Sequence, residues 1–146
     1  MKETRMYYCT DMMLRRIANR EPVVAYMAHP YGGLDNLFKA RYMAKKLADL
    51  HPHMAIINPL DNFRYLEDYE GMPFLERDKQ VLERCDVLIM TGDWKTSHGC
   101  MGEFSFAYNH GIPIIEPGEK NARIFHMAVI SSNDPPFKLN KMINGN

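Results

Sequence analysis

Apolar residues fall along this chain in four short runs, separated by longer stretches with helical spacing. Residues 23–28, VVAYMA, form the first run. It is rich in valine and tyrosine and too short for a helix, which predicts a strand. HPYGG follows and must be a loop, because a proline and two glycines break any regular element. Over 34–50, Leu34, Leu37, Phe38, Arg41, Tyr42, Lys45, Leu47 and Ala48 recur at mostly helical spacing. This predicts an amphipathic helix with its lysines outward. MAIINP, 54–59, predicts a buried strand that stops at Pro59. Residues 60–72, LDNFRYLEDYEGM, predict a loop long enough to suggest function.

From 73 to 85 the spacing is helical again, with Pro73 allowed in a first turn. Phe74, Val81 and Leu82 are the expected core contacts. DVLIMTG, 86–92, is apolar without alternation, as in a parallel strand covered on both faces. DWKTSHG then leads into a helix that carries Glu103 and stops near Gly111, and IPIIEPG predicts a fourth strand. Strand and helix alternating in this way predict an α/β domain, a flavodoxin-like (Rossmann-like) doubly wound parallel sheet of four to five strands. Ligands of such folds bind beyond the carboxyl ends of the strands. HPYGG, PLDNF and DWKTSHG should therefore line one crevice, with Glu103 overlooking it.

The ends of the chain are less patterned. Residues 1–22 are expected as an N-terminal extension with a short helix from about Thr10–Asp11, packing Met12, Met13, Leu14 and Ile17. The domain proper spans 23–146. Residues 122–130 suit a last helix or an edge strand, and the final 16 residues an extended tail.

Composition narrows the partners. Lys plus Arg equals Asp plus Glu, so no basic field exists for a nucleic-acid polymer. No apolar run approaches the roughly 20 residues of a membrane span. The charged first 22 residues are not a signal peptide. Three cysteines without CxxC spacing argue against a disulfide framework or a zinc site and suit a reducing cytoplasm. His51 and His53 flank Pro52, but no metal-binding motif supports them, and neither metal nor cofactor is expected.

Glu103 is the one acid among aromatic and small residues in SHGCMGEFSFAYNHG. It admits two readings. Placed in the first turn of its helix, it is kept ionised by the peptide dipoles and serves as an anionic catalyst. Alternatively it caps the helix with Ser97 or a neighbour as partner. Asp78, among Glu76, Arg77 and Lys79, is by default a solvated charge, and Asp86 is structural. Gly32 and Gly33 form a phosphate nest or a plain turn. Cys100 is a nucleophile at a helix start or a packing residue. His98 is a base without an evident partner, and Tyr26 and Tyr31 flank a planar ligand or simply pack.

The order YMAHPYGG, NPLDNF, RDKQVLERCDVLIM, SHGCMGEFSFAYNHGIPII resembles the nucleoside 2-deoxyribosyltransferase family, and within it the nucleoside 5'-monophosphate N-glycosidases. The resemblance runs from about Val23 to Glu116. It implies that Glu103 is the nucleophile that attacks the anomeric carbon and holds the sugar as an ester. Asp78, eight residues before the DVLIM aspartate, would bind and protonate the departing base. Tyr26 with His29, Tyr31, Gly32 and Gly33 would line the sugar pocket, and the loop with Asn62 and Phe63 would contact the base. Phe63 stands where transferases carry an amide, and a ring stacks on a base without reading its edge.

Ser97 stands where deoxyribosyltransferases often have an aspartate. A serine donates to a phosphate that an aspartate would repel, so Gly32, Gly33 and Ser97 near Gly99 would make a phosphate cradle. Cys100 replaces the family's usual threonine. The implied substrate is a small nucleotide or nucleoside. The implied assembly is a homodimer or higher homo-oligomer, with 122–130 and Ser131, Ser132 or Asn133 reaching a neighbour's site. A non-catalytic nucleotide sensor is the alternative, and a cytokinin-type or nicotinamide nucleotide a further substrate class.

Overall fold

The computed structural model describes residues 2–62, 74–117 and 124–126. Along the chain run α1 (Lys2–Ala18), β1 (Val23–Ala28), α2 (Gly33–Leu50), β2 (Met54–Ile57), α3 (Phe74–Glu83), β3 (Val87–Met90), α4 (His98–Asn109), β4 (Ile114–Pro117) and β5 (Ile124–His126). The sheet order is β2-β1-β3-β4-β5, which is the flavodoxin-like doubly wound order. The first four strands are parallel, in register from Val23↔Met54 and Ala25↔Val87 to Leu88↔Ile114. Strand β5 adds to the edge antiparallel to β4, so of the segment 122–130 the described residues 124–126 form an edge strand. Residues 127–133 lie outside the described residues, as do Phe63 and Pro73.

Side-chain direction alternates along each strand, and both faces carry core residues, although Val24 of β1 and Ala55 of β2 are exposed. Ala25, Met27, Val87, Ile89 and Ile115 pack with Met13 and Ile17 of α1 and with Ala40 and Leu47 of α2. Tyr26, Ala28, Leu88, Met90 and Ile114 pack with Leu82 of α3 and Phe104 and Ala107 of α4. Burial on both faces is why the strands read as unbroken apolar runs.

Two expectations change. The helix expected from about Thr10–Asp11 begins at Lys2, and it buries Met13 and Ile17 in the core, whereas Met12 is exposed. In α2 the bulky row Leu34, Phe38, Tyr42 is 69%, 58% and 63% exposed. The row facing the sheet is Ala40, Met43, Ala44, Leu47. Two apolar rows share this helix, and the one with alanines lets the helix axis come closer to the strands.

Asp86 ties three elements together at the amino ends of the strands. Its Oδ2 accepts from Val24 N–H at 2.8 Å, its own N–H donates to Val24 O, and Oδ1 lies 3.9 Å from Arg16 Nη1. The structural role expected of it is what these contacts provide.

Ile17→Ala should cost about 2–4 kcal/mol, the range for emptying a buried aliphatic site. Met12→Ala should stay within about 0.5 kcal/mol, as an exposed substitution. Urea unfolding of both variants checks the difference, and equal losses would mean that α1 does not dock as described.

Candidate functional site

The three loops beyond the carboxyl ends of β1, β2 and β3 converge on a cavity of 290 Å³. His29 and Tyr31 enter from the first loop, Pro59, Leu60 and Asn62 from the second, and Ser97 and Gly99 from the third. Leu75 and Asp78 of α3 and Cys100 and Glu103 of α4 complete the lining. Gly32 and Gly33 are not among the lining residues. They are exposed, with φ of 115° and 76°, and turn the chain into α2. Phe63 lies outside the described residues.

Tyr26 sits on the α4 side of β1 with no exposed surface. Its hydroxyl donates to Glu103 Oε2. Glu103 lies in the second turn of α4, not the first, because the helix begins at His98 with Ser97 as its cap. The dipole's influence fades beyond the first turn, and burial governs instead. Glu103 is 5% exposed. Desolvation pushes its carboxyl up to about 8, the Tyr26 hydrogen bond opposing and the nearby Asp78 adding to the rise. The protonated form is thus favoured at neutral pH, the reverse of the dipole expectation. Burial and then the Glu103 charge raise the Tyr26 hydroxyl far above the ordinary tyrosine range, so it remains a donor.

The capping reading of Glu103 is also set aside. Ser97 Oγ accepts from Cys100 N–H at 3.2 Å, so the helix is capped without the glutamate. That contact uses a Ser97 lone pair and leaves its hydroxyl proton to donate.

Asp78 is not a solvated charge. It faces the same cavity, and its Oδ1 is cut off from water with no hydrogen-bond partner among the described residues. Burial pushes this carboxyl up to about 7. Its neighbour Lys79 pairs with Glu76 at 3.3 Å. The two acids are brought together by Gly102, where a Cβ would lie 3.0 Å from Leu75 Cδ2. The missing side chain lets α3 settle close on α4.

The other candidates separate clearly. Cys100 is buried, and desolvation pushes its thiol up to about 12, so it packs rather than reacts. His98 is exposed at the start of α4 and does not line the cavity. His29 is buried, with Nδ1 3.1 Å from Pro30 O, and burial lowers its pKa, so it lines the cavity as a neutral ring. His51 and His53 lie edge to face, with centroids 6.0 Å apart, before β2 at the other end of the sheet. Among the described residues no three His, Cys, Asp or Glu side chains could hold a metal ion.

Two supports escaped the sequence reading. Trp94 is buried under the third loop, stacked on Phe104 at 5.5 Å, with Nε1 donating to Glu116 Oε2 at 3.1 Å. Its signal is a lone tryptophan in a polar loop after a strand. Gly92 has φ 64°, and a Cβ there would meet His29 Nε2 at 2.8 Å and Pro30 Cδ at 2.9 Å. The first and third loops therefore touch through a glycine.

No family model matches the chain, and no curated protein does. The fold is similar to that of a conserved protein from Enterococcus faecalis V583, with a TM-score of 0.56 and 17% identity, over 83% of this chain and 74% of that one. That likeness shows the fold alone.

A carboxylate raised by burial weakens folding as pH climbs, because the unfolded chain loses its proton near 4.5 while the folded chain keeps it to about 8. Glu103→Gln removes this penalty, with an upper limit on the order of 3 kcal/mol at neutral pH. The variant should melt several degrees above wild type at about pH 8, with the difference vanishing near about pH 4. A pH-independent difference would contradict the buried, protonated state. Gly92→Ala should displace His29 and loosen the first loop, and amide exchange at residues 29–33 checks it.

Proposed function

We propose that the protein cleaves the N-glycosidic bond of a nucleoside 5'-monophosphate or nucleoside through a glycosyl ester on Glu103. The observation that carries this reading is the placement of two carboxyl groups in one cavity, with Glu103 held by Tyr26 and Asp78 close enough to raise it. A Glu103 oxygen bonds to C1' as the C1'–N bond breaks. The electron pair leaves with the base nitrogen, which takes the Asp78 proton. Water, or a second base, then attacks C1', giving up a proton to the Asp78 carboxylate, and the C1'–O bond to Glu103 breaks to release Glu103 as carboxylate. This is a double displacement that retains configuration, by analogy with retaining glycosidases.

The remaining lining suits the rest of a nucleotide. Ser97 donates its hydroxyl to a phosphate or sugar oxygen, and Pro59, Leu60 and Asn62 offer the base an apolar face with one amide. A neutral overall charge suits a small solute rather than a polymer. Cys9, Cys85 and Cys100 are free thiols, which fits a reducing cytoplasm. A homo-oligomer belongs to the same proposal. Among the described residues no helix is long and apolar enough to cross a membrane.

The raised Glu103 also favours a second reading, a nucleotide sensor that binds without turnover. A protonated carboxyl is a poor nucleophile, and a pocket that never ionises it would only bind.

A panel of nucleosides and 5'-monophosphates assayed for free base separates the two. On the enzyme reading, kcat/KM should be bell-shaped and highest between about pH 7 and 8. It falls below as Glu103 takes a proton and above as Asp78 loses one. Asp78→Asn should lower kcat about 10²–10⁴-fold, the range for losing a general acid, and Glu103→Ala should abolish ester formation. Base release by Glu103→Ala at the wild-type rate would remove the catalytic assignment, and tight binding without release would establish the sensor.

A further inference from the structure

The turn after β2 is short, and its own backbone supplies two hydrogen bonds, Asp61 N–H to Asn58 O and Asn62 N–H to Pro59 O, each at 3.0 Å. Pro59–Asp61 is one 3-10 turn of three residues, and a single turn fixes several dihedral angles for very few hydrogen bonds. Yet Pro59, Leu60 and Asn62 make one side of the cavity. Two contacts stiffen it. Asn58 Oδ1 accepts from Leu60 N–H at 3.3 Å, and Asn58 Nδ2 donates to Asp61 Oδ2 at 3.2 Å. From the middle of α2, Arg41 forks onto the same carboxylate, with Nη2 2.7 Å and Nε 3.2 Å from Oδ1.

The preceding residue, Ala40, is fully buried against the sheet, so the guanidinium starts from a fixed backbone. A planar fork sets direction as well as distance, which a lysine cannot do. The pair is 45% and 38% exposed, and an ion pair so open to water adds little to folding. Holding the turn in register is what its geometry provides.

We infer that Arg41 and Asp61 are positioning residues that set the wall facing the departing base, an inference that rests on the N-glycosidic reading for the identity of the ligand. The fork fixes Leu60 and Asn62 in the lining of the cavity that Asp78 shares. Without it the wall recedes and the base is held less well against the acid. Ser97 and Glu103, carried by α4, keep their places, so binding suffers more than the chemical step.

Arg41→Ala, Arg41→Lys and the exchanged pair Arg41→Asp/Asp61→Arg are compared with wild type. Amide exchange at Leu60, Asp61 and Asn62 should quicken about three- to fivefold in Arg41→Ala, with α4 unchanged. KM for 5'-monophosphates should rise about 5–10-fold with kcat within about twofold, while inhibition by ribose 5-phosphate stays level. Arg41→Lys should recover only part, and the exchanged pair most, of the lost KM. Unchanged exchange at the turn overturns the positioning role whatever the activity. Faster exchange with unchanged KM overturns its link to the base. Absence of base release from wild type sinks the N-glycosidic reading by itself, and the exchange result still decides whether the fork holds the turn.

Discussion

A carboxyl group buried at the end of a parallel sheet is costly to ionise, and the hydroxyl of Tyr26 is what holds this one in place. The contact joins the interior strand β1 to helix α4 across 77 positions of sequence. Much of the surrounding structure serves it. The pleat of β1 turns Tyr26 toward α4, Ser97 starts that helix without drawing on Glu103, and Gly102 lets α3 bring Asp78 close. Burial then raises both acids, Glu103 to about 8 and Asp78 to about 7.

Both shifts bear on the chemistry proposed. Burial disfavours ionisation of Glu103, so the arrangement the proposal needs, Glu103 ionised and Asp78 protonated, is held back in the empty cavity. Positive charge developing at C1' would favour it, because an anion in a low-dielectric pocket is stabilised most by a cation beside it. Negative charge would then appear on Glu103 when the sugar needs it. The same feature makes the site a source of instability, in keeping with the general tendency of functional pockets to work against folding.

Much of the site was visible as residue types at the ends of strands. His29, Tyr31, Asn62, Ser97 and Gly99 follow predicted strands, and all line the cavity. Glu103 stood out as a lone acid among apolar neighbours, but its state did not. The dipole argument assumed a first-turn position, and a one-turn error in the helix start reversed the expected ionisation. Asp78 looked solvated because its sequence neighbours are charged, whereas its surroundings are set by α4 and by loops distant along the chain. Arg41 appeared as one member of an amphipathic pattern, with nothing to show that Asp61 would meet it.

Sequence alone determined the order of elements from β1 to β4, the doubly wound class and the convergence of three loops at one end of the sheet, because periodicity and breakers report local geometry. It could not choose between the two apolar rows of α2, since Leu34, Phe38 and Tyr42 are as well spaced as Ala40, Ala44 and Leu47. Only the tertiary structure decided which row meets the strands, which acids lose water, and which glycines stand where two segments touch. Those outcomes depend on atoms brought together from remote parts of the chain, and desolvation and close packing are properties of that meeting rather than of any residue in it.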